Sequence, residues 1–359
     1  MKQSGKNYKR IVVKVGSSLF CSNKECLNFS LLNHTVSQIS ALVNAGHEVV
    51  VVSSGAIALG MRILDLKSRP KELPVLQAAA AIGQNALMDS YSRIFKDNKL
   101  TCAQILLTWE DFADRSRYLN AKNTISTLLK LKSVPVINEN DTISTAEIKF
   151  GDNDRLSALV ASLINADLLI MLSDVDGLLM KDKKTVVNFV EEINDGLRSL
   201  ARPTDKSTSV GGMITKIDAA KIAVDSGILC VIANGKTDNI IADIANDPVS
   251  GGNWTVFLSK KQSLAARQRW IAFGSKPKGK IVVDVGAKKA LLNKKSLLSV
   301  GIIDSEGKFE DGDIISIADQ DNNEFARGKC SISYRMVEKV KGKRSEKEII
   351  HCDNIVILN

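Results

Sequence analysis

Short apolar runs alternate with longer amphipathic stretches through roughly the first 250 residues. Ile11-Val12-Val13-Lys14-Val15 reads as a strand, and Glu48 to Ser53, which contains Val49 to Val52, reads as another. An unbroken β-branched run of this kind suits a strand buried on both faces of a parallel sheet. Between the two, Leu31, Leu32, Val36, Ile39, Leu42 and Val43 recur at helical spacing over 29–45, and Ala45-Gly46-His47 stops the pattern. The same rhythm predicts helices over 74–98, 111–131, 154–165, 213–226 and 237–245. It predicts strands over 102–107, 134–137, 167–172 and 228–232. Strands alternating with helices imply an α/β fold, a three-layer sandwich around a mostly parallel sheet.

The texture then changes. Residues 262–271 read as a connecting helix and Gly274 to Lys280 as a linker. Strand patterns follow over 280–284, 313–318, 324–330, 334–340 and 348–357, separated by turn-rich stretches such as Asp304-Ser305-Glu306-Gly307 and Glu310 to Asp313. This predicts a small β-barrel-like C-terminal domain. The expected division is 1–260, a connection over 261–277, and 278–359.

Composition narrows the class. Apolar residues make up 44% and charged residues 25%, which excludes a mostly disordered chain. No apolar run approaches the ~20 residues that span a bilayer. The basic N-terminal stretch lacks an apolar core of the secretory type. The six cysteines (21, 26, 102, 230, 330 and 352) form no Cys-x-x-Cys and only three histidines exist, so no metal-ligand set is expected. Cys102 and Cys230 sit inside strand-like runs as small hydrophobes, which fits a reducing, cytoplasmic setting. The net charge of +9 suits anionic ligands from nucleotides to nucleic acid, and a basic proteome accounts for it equally well.

Ligands of parallel sheets bind at the carboxyl ends of strands, so segments leaving strand ends carry the candidate chemistry. Lys14-Val15-Gly16-Ser17-Ser18 and Ser53-Ser54-Gly55-Ala56 each offer a glycine for close backbone approach, with hydroxyls or amides that hold anions. Lys14 alone could equally snorkel at a sheet edge. Asn138-Glu139-Asn140-Asp141 is followed by Gly151-Asp152-Asn153-Asp154, an unusual density of acids and amides for turns, although Asp152 or Asn153 also suits the cap of the next helix. Ser173-Asp174 leaves another strand. Ser207 to Gly212 leads into a helix with Lys216 in its first turn, where a cation opposes the helix dipole unless an anion sits there. No Gly-x-Gly-x-x-Gly follows a strand. Gly274 to Lys280 lacks the hydroxyl residue of a P-loop and precedes a strand.

Together these segments resemble the amino acid kinase family, and within it the branch that phosphorylates the glutamate side chain. The matching residues are 13–18, 53–58, 135–141, 145–149, 151–154, Leu156-Ser157-Ala158 and 211–216, and the resemblance covers nearly the whole chain. The tail, opening with Val283-Asp284-Val285-Gly286-Ala287, resembles a PUA domain. The resemblance implies ATP-dependent phosphorylation of L-glutamate to L-glutamyl 5-phosphate, the first step of proline biosynthesis, with Mg²⁺. It implies Lys14, Asp154 and Lys216 as catalytic residues, and Ser54, Asp141 and Asn153 as glutamate ligands. It implies ATP contacts from Lys14, Ser173, Asp174, Val210, Gly211, Gly212, Met213, Ile214, Thr215 and Lys216, and backbone phosphate contacts at Gly16 and Gly55. Feedback inhibition by proline and a homo-oligomer, dimer or tetramer, go with it. RNA stays an alternative partner for the tail, although residues 275–359 carry 16 Lys/Arg against 13 Asp/Glu, a net of only +3. Aspartate or N-acetylglutamate as substrate is disfavoured by the 138–141 loop. Two positions depart from the family pattern: Ser209-Val210 replaces a usual Gly-Thr, and Val285 stands where an acid is common.

Overall fold

The computed structural model describes every residue except 1–7, 21–27, 144–152, 183, 202–211, 260–263, 275, 344–347 and 359. Its residues group into two units: 1–108 with 116–263, and Trp109–Arg115 with Leu264–Asn359.

In the first unit the apolar runs become β1 (Arg10–Val15), β2 (Glu48–Ser53), β3 (Thr101–Leu107), β4 (Ser133–Glu139) and β5 (Leu168–Ser173). The sheet is completed by β6 (Phe189–Val190), β7 (Leu229–Asn234) and β8 (Trp254–Phe257), in the order β3-β4-β2-β1-β5-β7-β8-β6. All neighbours are parallel except β7 and β8. The pleat sorts side chains by parity. Ile11, Val13 and Val15 enter one core with Val49, Val51, Ile170 and the helix Phe29–Asn44. Lys14 therefore points to the opposite face, where helix Asn153–Ile164 packs on β1 and against helix Met213–Asp225.

Helices Ala56–Ile63 and Leu73–Asp97 pack backbone to backbone. A Cβ at Gly60 would lie 1.7 Å from the Ala79 carbonyl oxygen, and one at Gly83 would lie 1.8 Å from that of Ala56. No side chain fits there, so both positions demand glycine. The contact fixes the start of helix 56–63, which follows β2. The Ser53 hydroxyl, 3.0 Å from the buried Tyr91 hydroxyl, ties the same strand end to helix 73–97.

The sequence pattern needs small corrections here. The helix expected over 111–131 divides at Asp114 into Trp109–Ala113 and Arg115–Lys130. The one expected over 237–245 begins at Ile240, after Asn239 turns left-handed at φ 57°.

The second unit holds β9 (Gly279–Val283), β10 (Leu297–Leu298), β11 (Ile302–Gly307), β12 (Ile314–Ala318), β13 (Glu324–Lys329), β14 (Glu348–Ile350) and β15 (Ile355–Ile357). Five form a sheet in the order β11-β9-β12-β13-β15, and β10 pairs with β14. Ile281, Val283, Phe309, Ile315, Ile317 and Val337 fill its core. Residues 334–340 are a helix, not a strand: Tyr334, Val337 and Val340 recur three apart, and this stripe faces the core. Residues 304–307 belong to a strand, not a turn. An unforeseen helix, Val285–Leu292, starts where the Asp284 carboxylate accepts from Ala287 N at 2.6 Å. The connecting segment is a short helix, Ala266–Arg269, continued by a π-helical turn, Trp270–Gly274. There Trp270 Nε1 donates to Phe112 O at 2.9 Å, within the same unit. Among the described residues no helix is long and apolar enough to cross a membrane.

The glycine contact makes a testable demand. Gly83→Ala should lower unfolding free energy by roughly 1–3 kcal/mol, the usual range for overpacking. Urea titration measures it, and an unchanged midpoint would show that the two helices slide apart without cost.

Candidate active site

One cleft gathers the carboxyl ends of β4, β2, β1 and β5, four neighbours in the sheet. β1 lies between β2 and β5, whose connections leave in opposite directions, which is where open parallel sheets bind ligands. Lys14 is thus far from any edge, and the snorkelling reading fails: it is 6% exposed in the middle of the sheet.

Lys14 is tolerated there because Asp154 faces it. Asp154 stands in the first turn of helix 153–164, laid across β1, and Lys216 stands near the start of the helix 213–225 packed beside it. Lys14 Nζ lies 2.6 Å from Asp154 Oδ1 and Lys216 Nζ lies 3.0 Å from Asp154 Oδ2. Asp154 itself is 2% exposed. Burial opposes ionisation of this carboxylate, but the charges and hydrogen bonds of the two ammonium groups outweigh it and hold its pKa well below the usual range. The Thr215 hydroxyl sits 2.9 Å from Asp154 Oδ2 and donates to the Gly212 carbonyl at 2.8 Å. The cation at the start of helix 213–225 is therefore already balanced by Asp154. The triad still sums to +1, a buried surplus that attracts an anion.

Beside the triad lies an amide network. Asn153 Nδ2 is within 3.0 Å of Ser53 O, 2.9 Å of Ser54 Oγ and 3.0 Å of Asn138 Oδ1. Asn138 Nδ2 in turn donates to Gln84 Oε1 at 2.8 Å. Asn153 is the first residue of its helix, and its side chain serves this network instead of capping; Asp152 lies outside the described residues. Asn153 Oδ1 is buried with no hydrogen-bond partner among the described residues, an acceptor suited to a ligand N–H. Asp141 lines the same cleft. Burial, reinforced by the negative charge of Glu139 and opposed by the positive charge of Arg69, pushes it up to about 7.

The cleft brings together Lys14, Gly16, Ser54, Gly55, Asp141, Asn153, Asp154, Ser173, Asp174 and Lys216. Gly55 opens helix 56–63 at φ 104°, a left-handed conformation that lets backbone amides face the cleft. Gly212, Met213, Ile214 and Thr215 form the entry and first turn of helix 213–225 but do not line the cleft, and Val210 and Gly211 lie outside the described residues, as does Ser209. Sequence reasoning did not single out Gln84, Arg69, Ser17 or Ser18 as site residues. Ser17 and Ser18 belong to a motif the sequence shows, whereas Arg69 lines the cleft, and Gln84 supports it through Asn138, only by way of the fold.

Residues 9–234 match the amino acid kinase family and residues 279–352 match the PUA domain. The chain belongs to the amino acid kinase family. Among the proteins it is similar to is the glutamate 5-kinase of Thermoanaerobacter sp. (strain X514), 45% identical over 97% of this chain and 98% of that one. Those of Caldanaerobacter subterraneus subsp. tengcongensis, 46% identical over 97% and 98%, and Acinetobacter baumannii, 40% identical over 97% and 96%, are similar too. The fold is shared with the carbamate kinase from Giardia lamblia bound to AMP-PNP, at TM-score 0.50 and 21% identity over 70% of this chain and 99% of that one.

Asp154→Asn keeps the shape of the side chain and removes the counter-charge of two buried lysines. Breaking such a pair costs roughly 3–5 kcal/mol, and losing a preorganised electrostatic group costs roughly 10²–10³-fold in turnover. Urea unfolding and steady-state kinetics of the same variant should show both losses together.

Proposed function

We propose that the chain is a glutamate 5-kinase: it transfers the γ-phosphoryl group of ATP to the side-chain carboxylate of L-glutamate, giving L-glutamyl 5-phosphate and ADP. The observation that carries the reading is the buried Lys14–Asp154–Lys216 triad beside an amide and carboxylate pocket. Relatives of the same activity match nearly the full length of the chain.

The nucleophile is a carboxylate, ionised at neutral pH, so no general base is required. The obstacle is repulsion between that anion and the γ-phosphate. Lys14 and Lys216, held apart by one carboxylate, offer positive charge to the transferring group without having to move to it. The glycines at 16 and 55 let a phosphate approach the backbone closely; the Gly16 N–H itself donates to Leu172 O at 3.3 Å, so further amide donors come from the segments around them. Ser173 and Asp174, at the end of β5, with the start of helix 213–225, serve the nucleotide. Both Asp154 oxygens are engaged by lysines, so the donor set fits a Mg²⁺ held mainly by nucleotide phosphates and water, with Asp174 the carboxylate at the nucleotide side. When bound, it neutralises phosphate charge. Asp141 and the buried Asn153 Oδ1 suit the substrate ammonium, and Ser54 suits a remaining polar group.

Under this reading the reaction opens proline biosynthesis in the cytoplasm. Proline is the expected feedback inhibitor, and a dimer or tetramer the expected assembly. Residues 1–260 carry the chemistry and 278–359 act in regulation or assembly, with RNA an alternative partner of the tail. These points rest on the family resemblance.

ADP release should rise above background with L-glutamate and Mg²⁺–ATP, and not with aspartate, N-acetylglutamate or uridylate. Stimulation by another of these acceptors and none by glutamate would refute the assignment. The pH response should report Asp141. Its ionised form, present above about 7, pairs with the ammonium. The glutamate KM should therefore be flat above pH 7 and rise toward tenfold per unit below it, with the ATP KM little changed. Asp141→Asn should raise the glutamate KM at pH 8 and abolish its dependence on pH.

A further inference from the structure

The substrate end of the cleft contains charges of both signs. Asp141 and Glu139 supply the negative ones. Among the described lining residues the cations are Lys14, Lys216 and Arg69, and the two lysines are engaged by Asp154 at the phosphoryl end. A free amino acid presents an ammonium and a carboxylate on one carbon, so a site that binds it needs a cation close to its anion. Arg69 lines the cleft with Asp141, and its charge is felt at that carboxylate.

Arg69 lies in the connection 64–72 between helices 56–63 and 73–97, which pack closely through Gly60 and Gly83. Pro70 follows, which biases the Arg69 backbone toward extended conformations. A guanidinium also matches a carboxylate in shape, with two parallel donors for two oxygens.

We infer that Arg69 is a specificity-determining residue that binds the substrate α-carboxylate, so that the cleft recognises the whole zwitterion and not only its ammonium. This rests on the glutamate reading above and adds to it the residue that separates a free amino acid from one blocked at its α-carboxylate. The phosphoryl transfer itself is left to the lysine pair.

The test compares L-glutamate with L-glutamate α-amide at saturating Mg²⁺–ATP, in the unaltered chain and in Arg69→Gln and Arg69→Lys. The unaltered chain should prefer glutamate. Arg69→Gln should raise the glutamate KM roughly ten- to a hundredfold, the value of a charge-assisted hydrogen-bond pair, with kcat falling far less. Its kcat/KM for the α-amide should stay within about twofold, so the preference collapses. Arg69→Lys should recover part of it. An equal loss toward both substrates would overturn the inference by giving Arg69 a merely structural role. An unchanged glutamate KM would overturn it by leaving the carboxylate to backbone amides of helix 56–63. If the unaltered chain phosphorylates neither compound, the glutamate reading falls first and the inference with it. Urea midpoints of both variants confirm that the exposed substitution leaves the fold intact.

Discussion

Both oxygens of one buried carboxylate are taken by ammonium groups that come from different elements, and the first unit is arranged around that sharing. Burying an ammonium group without a counter-charge is costly, and both lysines are buried. Asp154 makes both permissible at once, one on each oxygen. The set retains a net positive charge, which suits an anionic ligand. Stability and chemistry are thus joined in the same three side chains.

The sheet supplies the precision. A strand in the middle of a parallel sheet is fixed on both sides by ladders, so Lys14 has little freedom along β1. The helix that carries Asp154 lies over the same strand, and the helix that carries Lys216 packs on that helix. The amide network extends this rigidity to the substrate side: Gln84, on a helix reached only after an intervening connection, orients Asn138, which meets Asn153. Asn138, Asn153 and the charged triad are in this way held by strands and helices.

Much of this was legible in the sequence, for reasons that differ by region. Buried parallel strands announce themselves as continuous β-branched runs, and 11–15 and 48–53 became neighbours in the sheet. The tail was harder because its strands are short and partly exposed. In β11 only Ile302 and Ser305 are buried, so the alternation that would have marked 302–307 is nearly erased. In 334–340 the short run of apolar residues fits a strand pattern as well as a helix, and the three-residue spacing proves to be a helical stripe. In the site, the motif residues were visible as motifs. Their connection through Asp154 came from family resemblance, since no spacing rule links positions 14, 154 and 216. The edge reading of Lys14 failed because the order of strands in a sheet cannot be read from one strand. Gln84 and Arg69 carried no local signal and needed the fold.

Asp141 illustrates how a residue's behaviour can be owned by its neighbours. Its loop position is set by the end of β4, yet its protonation is pushed one way by burial and Glu139 and the other way by Arg69. Neither neighbour belongs to the buried triad. Two lineages sharing the same carboxylate could therefore diverge in the acidity at which they hold an amino acid, by exchanging Glu139 or Arg69 alone. Adaptation to more acidic or more alkaline surroundings would then leave Asp141 itself untouched, and a comparison of invariant residues would not see it.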